Sequence, residues 1–148
     1  MKALRHFLLA LQFFTRIPLP ARLARWVGYS PPMQQACLAY FPLIGAVVGA
    51  AGAICFYIAL RLLPDVGAAP WVAAVLGVIA TAMLTGAFHE DGLADLADGL
   101  GGHVGRERAL EIMKDSRIGS YGAMALALSL LLRIGLIVAL AQVAPALA

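Results

Sequence analysis

The sequence predicts an all-α fold: a polytopic membrane helix bundle with about three transmembrane helices, an N-terminal interfacial helix and a cytoplasmic acidic helical loop. Of the 148 residues, 62% are hydrophobic and 13% are charged, and the mean hydropathy is +0.88. A water-soluble domain of this size carries more charge. The apolar residues gather in three long runs, and most acidic residues lie between the second and third. We therefore expect residues 1–148 to form a single integral-membrane domain.

The composition also excludes several classes of protein. Eleven lysines and arginines against eight acidic residues give a net charge of +3, which is too sparse for a protein whose main partner is nucleic acid. The high apolar content excludes disorder. The two cysteines, Cys37 and Cys55, both lie in an apolar stretch, so a disulfide scaffold is excluded as well.

The N-terminal segment predicts a helix in the membrane interface. A basic start precedes a short apolar run at 7–14, which imitates a secretory signal. The small residues of a cleavage site do not follow, because the next residues, 15–18, read TRIP. A helix that lies along the cytoplasmic surface of the bilayer and ends at Pro18 and Pro20 fits the pattern better.

Three segments are long and apolar enough to cross a bilayer, which requires about 20 residues. Residues 36–60 provide 25 without a charge, residues 71–88 provide 18, and a polar turn between them predicts antiparallel helices. The third span runs from about 121 to about 144. Within the first span, Gly45, Gly49, Gly52 and Ala53 form a small-residue face of the kind on which membrane helices pack closely.

One charge, Arg133, interrupts the third span. A charge at the bilayer centre costs about 2.5–3.5 kcal/mol on insertion scales. This side chain is therefore expected to snorkel to the surface, to pair with another residue, or to contact a substrate.

The basic residues predict the orientation of the chain. The first 25 residues carry five lysines and arginines, and the loop at 89–120 carries four, whereas the turn between the first two spans carries only Arg61. Because positive loops stay in the cytoplasm, the N-terminus and the acidic loop are expected to be cytoplasmic.

The acidic residues are concentrated where the second span ends. Seven of the eight lie within the 26 residues 90–115. Among them Asp91, Asp95 and Asp98 are spaced i, i+4 and i+7, which puts them within about 60° on one helical face. Three such carboxylates repel one another unless a cation lies between them, and Mg²⁺ binds carboxylates while leaving positions for phosphate oxygens. The alternative is the solvated end of a protruding helix.

A second polar segment follows at 106–122. It predicts a short amphipathic helix and then a glycine-containing turn with Lys114, Asp115 and Arg117. The turn offers cations and backbone N–H groups to phosphates and adds a carboxylate, although an ordinary positive loop is the alternative. Together the two segments indicate metal-assisted substitution at phosphorus on a membrane-associated or bulky substrate.

At these residues the chain resembles the cobalamin synthase family, the adenosylcobinamide-GDP ribazoletransferases. The matching stretches are FFTRIP (13–18), YFPLIG (40–45), HEDGLADLADG (89–99) and IMKDSRIGSYG (112–122). The resemblance implies a multi-pass, Mg²⁺-dependent enzyme of the bacterial inner membrane. Its small-molecule substrates would be adenosylcobinamide-GDP and α-ribazole or its 5′-phosphate, and its products GMP and adenosylcobalamin or its 5′-phosphate. Members are usually longer, so the chain is expected to be the N-terminal portion of such an enzyme; a homo-oligomer is left open.

The expected roles combine this reaction with the spacing of the residues. We expect Asp91, Asp95 and Asp98 to be catalytic metal ligands, with Asp115 as a further ligand or general base. His89 and Glu90 are expected to contact either the nucleotide or the metal ligands. Lys114 and Arg117 are expected to bind phosphates, and Arg16 is a weaker candidate for the same role.

Two other functions compete with this interpretation. A phosphatidyltransferase acting on a nucleotide-diphosphate lipid also uses spaced aspartates, but the arginine expected after Asp98-Gly99 is missing. A cation transporter or channel subunit would bind its ion near the bilayer midplane, whereas 91–98 lies just beyond the second span.

Overall fold

The computed structural model describes residues 1–143. Within them the chain forms eight α-helices and a 3₁₀ turn at Leu38–Tyr40, and this part of the chain contains no strand. The predicted all-α class is therefore confirmed. The helices are α1 (Lys2–Phe14), α2 (Ala21–Val27), α3 (Pro31–Cys37), α4 (Phe41–Leu62), α5 (Ala69–Thr85), α6 (Phe88–Gly101), α7 (Arg106–Ile112) and α8 (Ser120–Val143).

Two stretches within residues 1–143 are long and apolar enough to cross a membrane, Pro31–Leu62 and Ser120–Val143. The bent pair α5 and α6 meets the same criteria as a third, in agreement with the predicted number. Helix α4, with 22 residues, is about 33 Å long, which matches the hydrocarbon thickness. The end predicted for the third span, at about residue 144, lies outside the described residues.

Helices α4 and α5 form an antiparallel pair whose closest approach lies at two glycines. A Cβ atom on Gly77 would stand 3.1 Å from the Gly52 carbonyl oxygen, and one on Gly52 would stand 2.7 Å from Thr81. The predicted small-residue face thus packs closely at Gly52, whereas a Cβ atom on Gly45 or Gly49 meets nothing within 4 Å among the described residues. The connection at 63–68 ties the two helices together directly after α4, so they approach most closely in the second half of α4.

The second predicted span does not continue to Phe88, because the chain turns sharply before it. Helix α5 ends at Thr85, and α6 leaves at 88° to it. Gly86 and Ala87 both adopt the left-handed conformation, with φ of 69° and 59°. Glycine does so readily and is a common helix terminator, whereas alanine pays about 1–2 kcal/mol. This break aims the acidic helix across the end of α5 instead of extending it.

The N-terminal helix packs against the start of the first membrane stretch. Ala10, Leu11 and Phe14 of α1 are buried together with Cys37 and Ile44. The short apolar run at 7–14 therefore covers α3 and the first turn of α4. The predicted N-terminal helix is confirmed, while its position in the membrane interface stays a prediction.

Candidate active site

Helix α6 carries the predicted aspartates on one side, and the segment after α7 faces them across a cavity of about 470 Å³. The two polar segments that lie apart in the sequence thus meet in one place. We call this space the acidic cavity. Its charged lining residues are Glu90, Asp91, Asp95, Asp98, Lys114, Asp115 and Arg117.

Asp98 holds the start of α8. Its Oδ2 accepts a hydrogen bond from the Gly119 N–H at 2.7 Å, and its Oδ1 accepts one from the Gly122 N–H at 2.8 Å. The first turn of a helix leaves its N–H groups without intrahelical partners, and the helix dipole favours a carboxylate there. A side chain of α6 therefore caps α8, an arrangement that we call the Asp98 cap. The role of Asp98 as a metal ligand stays a prediction, since each oxygen keeps a second lone pair.

The Asp98 cap depends on two glycines. A Cβ atom on Gly122 would collide with the Asp98 carboxylate and stand 2.9 Å from the Ala94 carbonyl oxygen. One on Gly119 would stand 2.8 Å from the Asp98 carboxyl carbon. The sequence interpretation treated these glycines as part of a polar turn and missed their contact with α6. The signal that could have revealed it is their Gly-x-x-Gly spacing at the start of the third span.

Asp115 and Arg117 form a two-pronged ion pair. The Arg117 Nη2 lies 2.6 Å from Oδ2 of Asp115, and Nε donates to Oδ1 at 3.1 Å. These hydrogen bonds, from the guanidinium and from the Arg117 N–H, lower the pKa of Asp115 from 3.8 to about 2. So weak a proton acceptor is poorly matched to general base catalysis near neutral pH. The pairing favours instead a role in holding the Arg117 guanidinium.

The carboxylates of the acidic cavity suit a hard divalent cation, because Mg²⁺ prefers oxygen ligands. Within residues 1–143, however, no three His, Cys, Asp or Glu side chains stand close enough to hold a metal ion by themselves. Enzymes usually hold Mg²⁺ with one or two carboxylates plus substrate phosphates and water. The cavity fits that mode, since Asp91 and Asp95 line it beside Lys114.

Residues 6–148 match the family described as cobalamin-5-phosphate synthase. The chain belongs to this family. It is 60% identical over 140 residues to the adenosylcobinamide-GDP ribazoletransferase of Polaromonas naphthalenivorans (strain CJ2), covering 95% of this chain and 50% of that relative. The enzyme of the same name from Polaromonas sp. (strain JS666) is 57% identical over 139 residues, which cover 94% of this chain and 49% of that relative. The one from Albidiferax ferrireducens is 54% identical over 144 residues, which cover 97% of this chain and 51% of that relative.

The resemblance seen in the four sequence motifs is thereby confirmed. The chain spans about half the length of the curated relatives it matches. No solved structure matches it.

In this member of the cobalamin-5-phosphate synthase family, the charge within the third membrane helix is paired. Arg133 Nη1 lies 3.6 Å from Oε1 of Glu90, and Nη2 donates to the Thr81 hydroxyl at 3.3 Å. Of the three expectations for Arg133, the structure shows the structural pair. The contact joins α8 to α6 and α5, and it gives Glu90 a partner that the sequence interpretation missed.

His89 lies on the other side of Glu90 from the acidic cavity. It lines a second cavity of about 200 Å³, which we call the inner cavity and which also contacts Phe14, Phe41, Glu90 and Arg133. The rings of Phe41 and His89 are 5.8 Å apart. His89 is therefore separated from the predicted metal ligands, whereas Glu90 lines both cavities.

Arg16 lies at the break between α5 and α6 instead of among the charged lining residues of the acidic cavity. Its backbone N–H donates to the Leu84 carbonyl oxygen at 2.7 Å. Its guanidinium lies so close to Gly86 that a Cβ atom there would collide with it. The expectation of a phosphate contact from Arg16 gains no support, because its described contacts are with the backbone that turns the chain into α6.

Proposed function

We propose that this chain carries a central part of the active site of a Mg²⁺-dependent transferase that joins adenosylcobinamide-GDP to α-ribazole or its 5′-phosphate. A ribose hydroxyl oxygen forms a bond to the phosphorus that bears cobinamide. The bond from that phosphorus to the bridging oxygen breaks, and GMP leaves with that oxygen. The hydroxyl proton passes to a base, and the product is adenosylcobalamin or its 5′-phosphate.

The observation that carries this proposal is the meeting of carboxylates and cations in the acidic cavity, in a chain whose relatives are named adenosylcobinamide-GDP ribazoletransferase. Substitution at a diphosphate needs positive charge to balance the phosphates and carboxylates to hold the metal that provides part of it. Both kinds of group face each other across this cavity.

Asp91 and Asp95 are the proposed Mg²⁺ ligands. Both line the acidic cavity, and neither side-chain carboxylate has a hydrogen bond or an ion pair within the described residues. When bound, Mg²⁺ supplies charge neutralisation to the diphosphate and to the leaving GMP. Asp98 contributes to the same site by keeping α8 against α6, and its second lone pairs leave it able to act as a further ligand.

Lys114 and Arg117 are the proposed phosphate contacts. The Arg117 guanidinium is held by Asp115 on one edge, which leaves its other donors for a phosphate oxygen. Lys114 has no ion pair within residues 1–143 and lines the same cavity. A guanidinium fixed by a neighbouring carboxylate loses less side-chain freedom when it binds an anion.

We further propose that the acidic cavity opens to the cytoplasm of a bacterial cell, with the helices in the inner membrane. Helix α1 and the basic N-terminal segment share one end of the bundle with α6, as the contact between Phe13 and Phe88 indicates. Positively charged segments favour the cytoplasmic side, where nucleotide substrates are found.

The experiment is a GMP-release assay in lipid nanodiscs. The chain is tested alone and fused to the C-terminal half of the Polaromonas naphthalenivorans relative, with adenosylcobinamide-GDP, α-ribazole and varied Mg²⁺. Metal-dependent GMP release matched by corrinoid product is expected from at least one preparation. Mg²⁺ flux into liposomes without GMP release from either would refute the proposal and favour a transporter.

A further inference from the structure

The inner cavity has no part in the proposed reaction, yet it adjoins the site of that reaction. Its volume is about 200 Å³, whereas sites for whole drug-sized ligands are about 300–1,000 Å³. The space therefore suits one ring system of a larger substrate. Glu90 lines both cavities, and Asp91 follows it about 100° around the helix. A group in the inner cavity thus lies directly beside a group bound in the acidic cavity.

The polar edge of the inner cavity combines a carboxylate with a cation. Glu90 Oε2 is buried and has no hydrogen-bond partner within residues 1–143, while Oε1 lies 3.6 Å from Arg133 Nη1. A buried acceptor without a donor costs free energy, so the site favours a ligand that brings N–H groups. The edge as a whole places one donor group, the Arg133 guanidinium, beside the two acceptor oxygens of Glu90.

Guanine carries the complementary edge. Its O6, N1–H and N2–H₂ groups are an acceptor followed by two donors, whereas adenine has a donor followed by an acceptor at the corresponding places. The wall beside this edge is aromatic, since Phe14, Phe41 and His89 line it. Nucleobases stack on such side chains while their edges are hydrogen-bonded.

We infer that the inner cavity is the binding site for the guanine base of the nucleotide substrate. Glu90 accepts hydrogen bonds from N1–H and N2–H₂, and Arg133 donates one to O6. This inference rests on the proposed function, because it assigns the base of the same GDP-bearing substrate. The diphosphate then extends past Glu90 toward Asp91 in the acidic cavity.

The first test uses the unaltered chain, alone and in the fusion described above. Radiolabelled GMP bound in nanodiscs is displaced by unlabelled guanosine, inosine, xanthosine and adenosine monophosphates. Inosine monophosphate lacks the N2 amino group and is expected to bind about 10-fold more weakly than GMP. Adenosine monophosphate is expected to bind about 100-fold more weakly than GMP. Equal displacement by all four nucleotides, or no GMP binding in either preparation, would overturn the inference.

The second test changes the acceptor edge. In Glu90→Gln the amide oxygen still accepts from N1–H, but the amide nitrogen becomes a donor that matches the O2 of xanthine. The preference for guanosine over xanthosine monophosphate is expected to fall at least 10-fold, and xanthosine binding to improve in absolute terms. Misfolding cannot produce improved binding, so an unchanged order of preference in a folded variant would contradict the assignment.

A third test fills the cavity without changing a charge. Gly45 lines it, and a Cβ atom there meets nothing within 4 Å among the described residues, so Gly45→Val is expected to fold and to weaken GMP binding at least 10-fold. The matched control is Ala46→Val, at an exposed neighbouring position. Guanine preference without turnover would refute only the transferase proposal, whereas turnover without guanine preference would refute only this base site.

Discussion

The Asp98 cap yields a quantitative prediction. Hydrogen bonds to a charged group contribute about 1.5–3 kcal/mol each. Asp98→Asn keeps one oxygen and turns an amide nitrogen toward the other N–H donor, so one of the two bonds to Gly119 and Gly122 is lost. We expect the start of α8 to open more easily by about 1.5–3 kcal/mol, and by about 3–6 kcal/mol in Asp98→Ala, where both bonds are lost.

Amide hydrogen exchange measures this opening directly. In metal-free nanodiscs, mass spectrometry of a peptide covering 116–124 should show exchange about 10- to 150-fold faster in Asp98→Asn, because each 1.4 kcal/mol corresponds to a factor of ten. The matched control is Asp65→Asn, an exposed aspartate in the turn at the other end of the bundle. Unchanged exchange in Asp98→Asn, together with weakened Mg²⁺ binding, would refute the cap as the main role of Asp98.

Three further predictions concern neighbouring residues. Gly122→Ala should lower the free energy of unfolding by about 1–3 kcal/mol through overpacking against α6, measured by thermal unfolding in detergent, whereas Gly105→Ala, where a Cβ atom meets nothing within 4 Å in the described chain, should change it little. Arg117→Gln should raise the pKa of Asp115 from about 2 toward 3.8, measured by carbon-13 NMR of the carboxyl group. Because the paired pKa is the lower one, the pair contributes its stability above about pH 3.8 and loses it as the pH falls toward 2; an unchanged titration would contradict the pairing. Asp91→Asn should reduce GMP release and shift its Mg²⁺ dependence to higher concentration, and a rate equal to that of the unaltered chain at every Mg²⁺ concentration would remove Asp91 from the metal site.

The membrane helices and the shared face of the aspartates could be predicted from the sequence because both depend on local periodicity. The length of an apolar run can be counted directly in the sequence and compared with the thickness of a bilayer. The i, i+4, i+7 spacing of the aspartates places them on one side of one helix. The meeting of α6 with 113–118 was expected only because both segments lie near the end of the second span.

Tertiary contacts between distant residues could not be read in the same way. The end of α5 before Gly86 was missed because apolar residues continue past it to Phe88, and hydropathy carries no information about a left-handed backbone. The partners of Asp98 and Glu90 lie directly before α8 or within it, and no periodic pattern in the sequence connects them. The contact at Gly52 depends on how α4 crosses α5, and the spacing of Gly45, Gly49 and Gly52 does not show which of these glycines makes it.

The right-angled turn at Gly86 and Ala87 fixes the depth at which the three aspartates lie. Along an upright helix, residues seven apart differ in height by about 10.5 Å, so Asp91 would sit near water while Asp98 lay in lipid, or the reverse. If α5 stands along the bilayer normal, α6 runs nearly level, and all three side chains occupy one plane parallel to the membrane. In the proposed reaction, the diphosphate of the substrate can then meet all three carboxylates at one depth, at the end of the helix bundle.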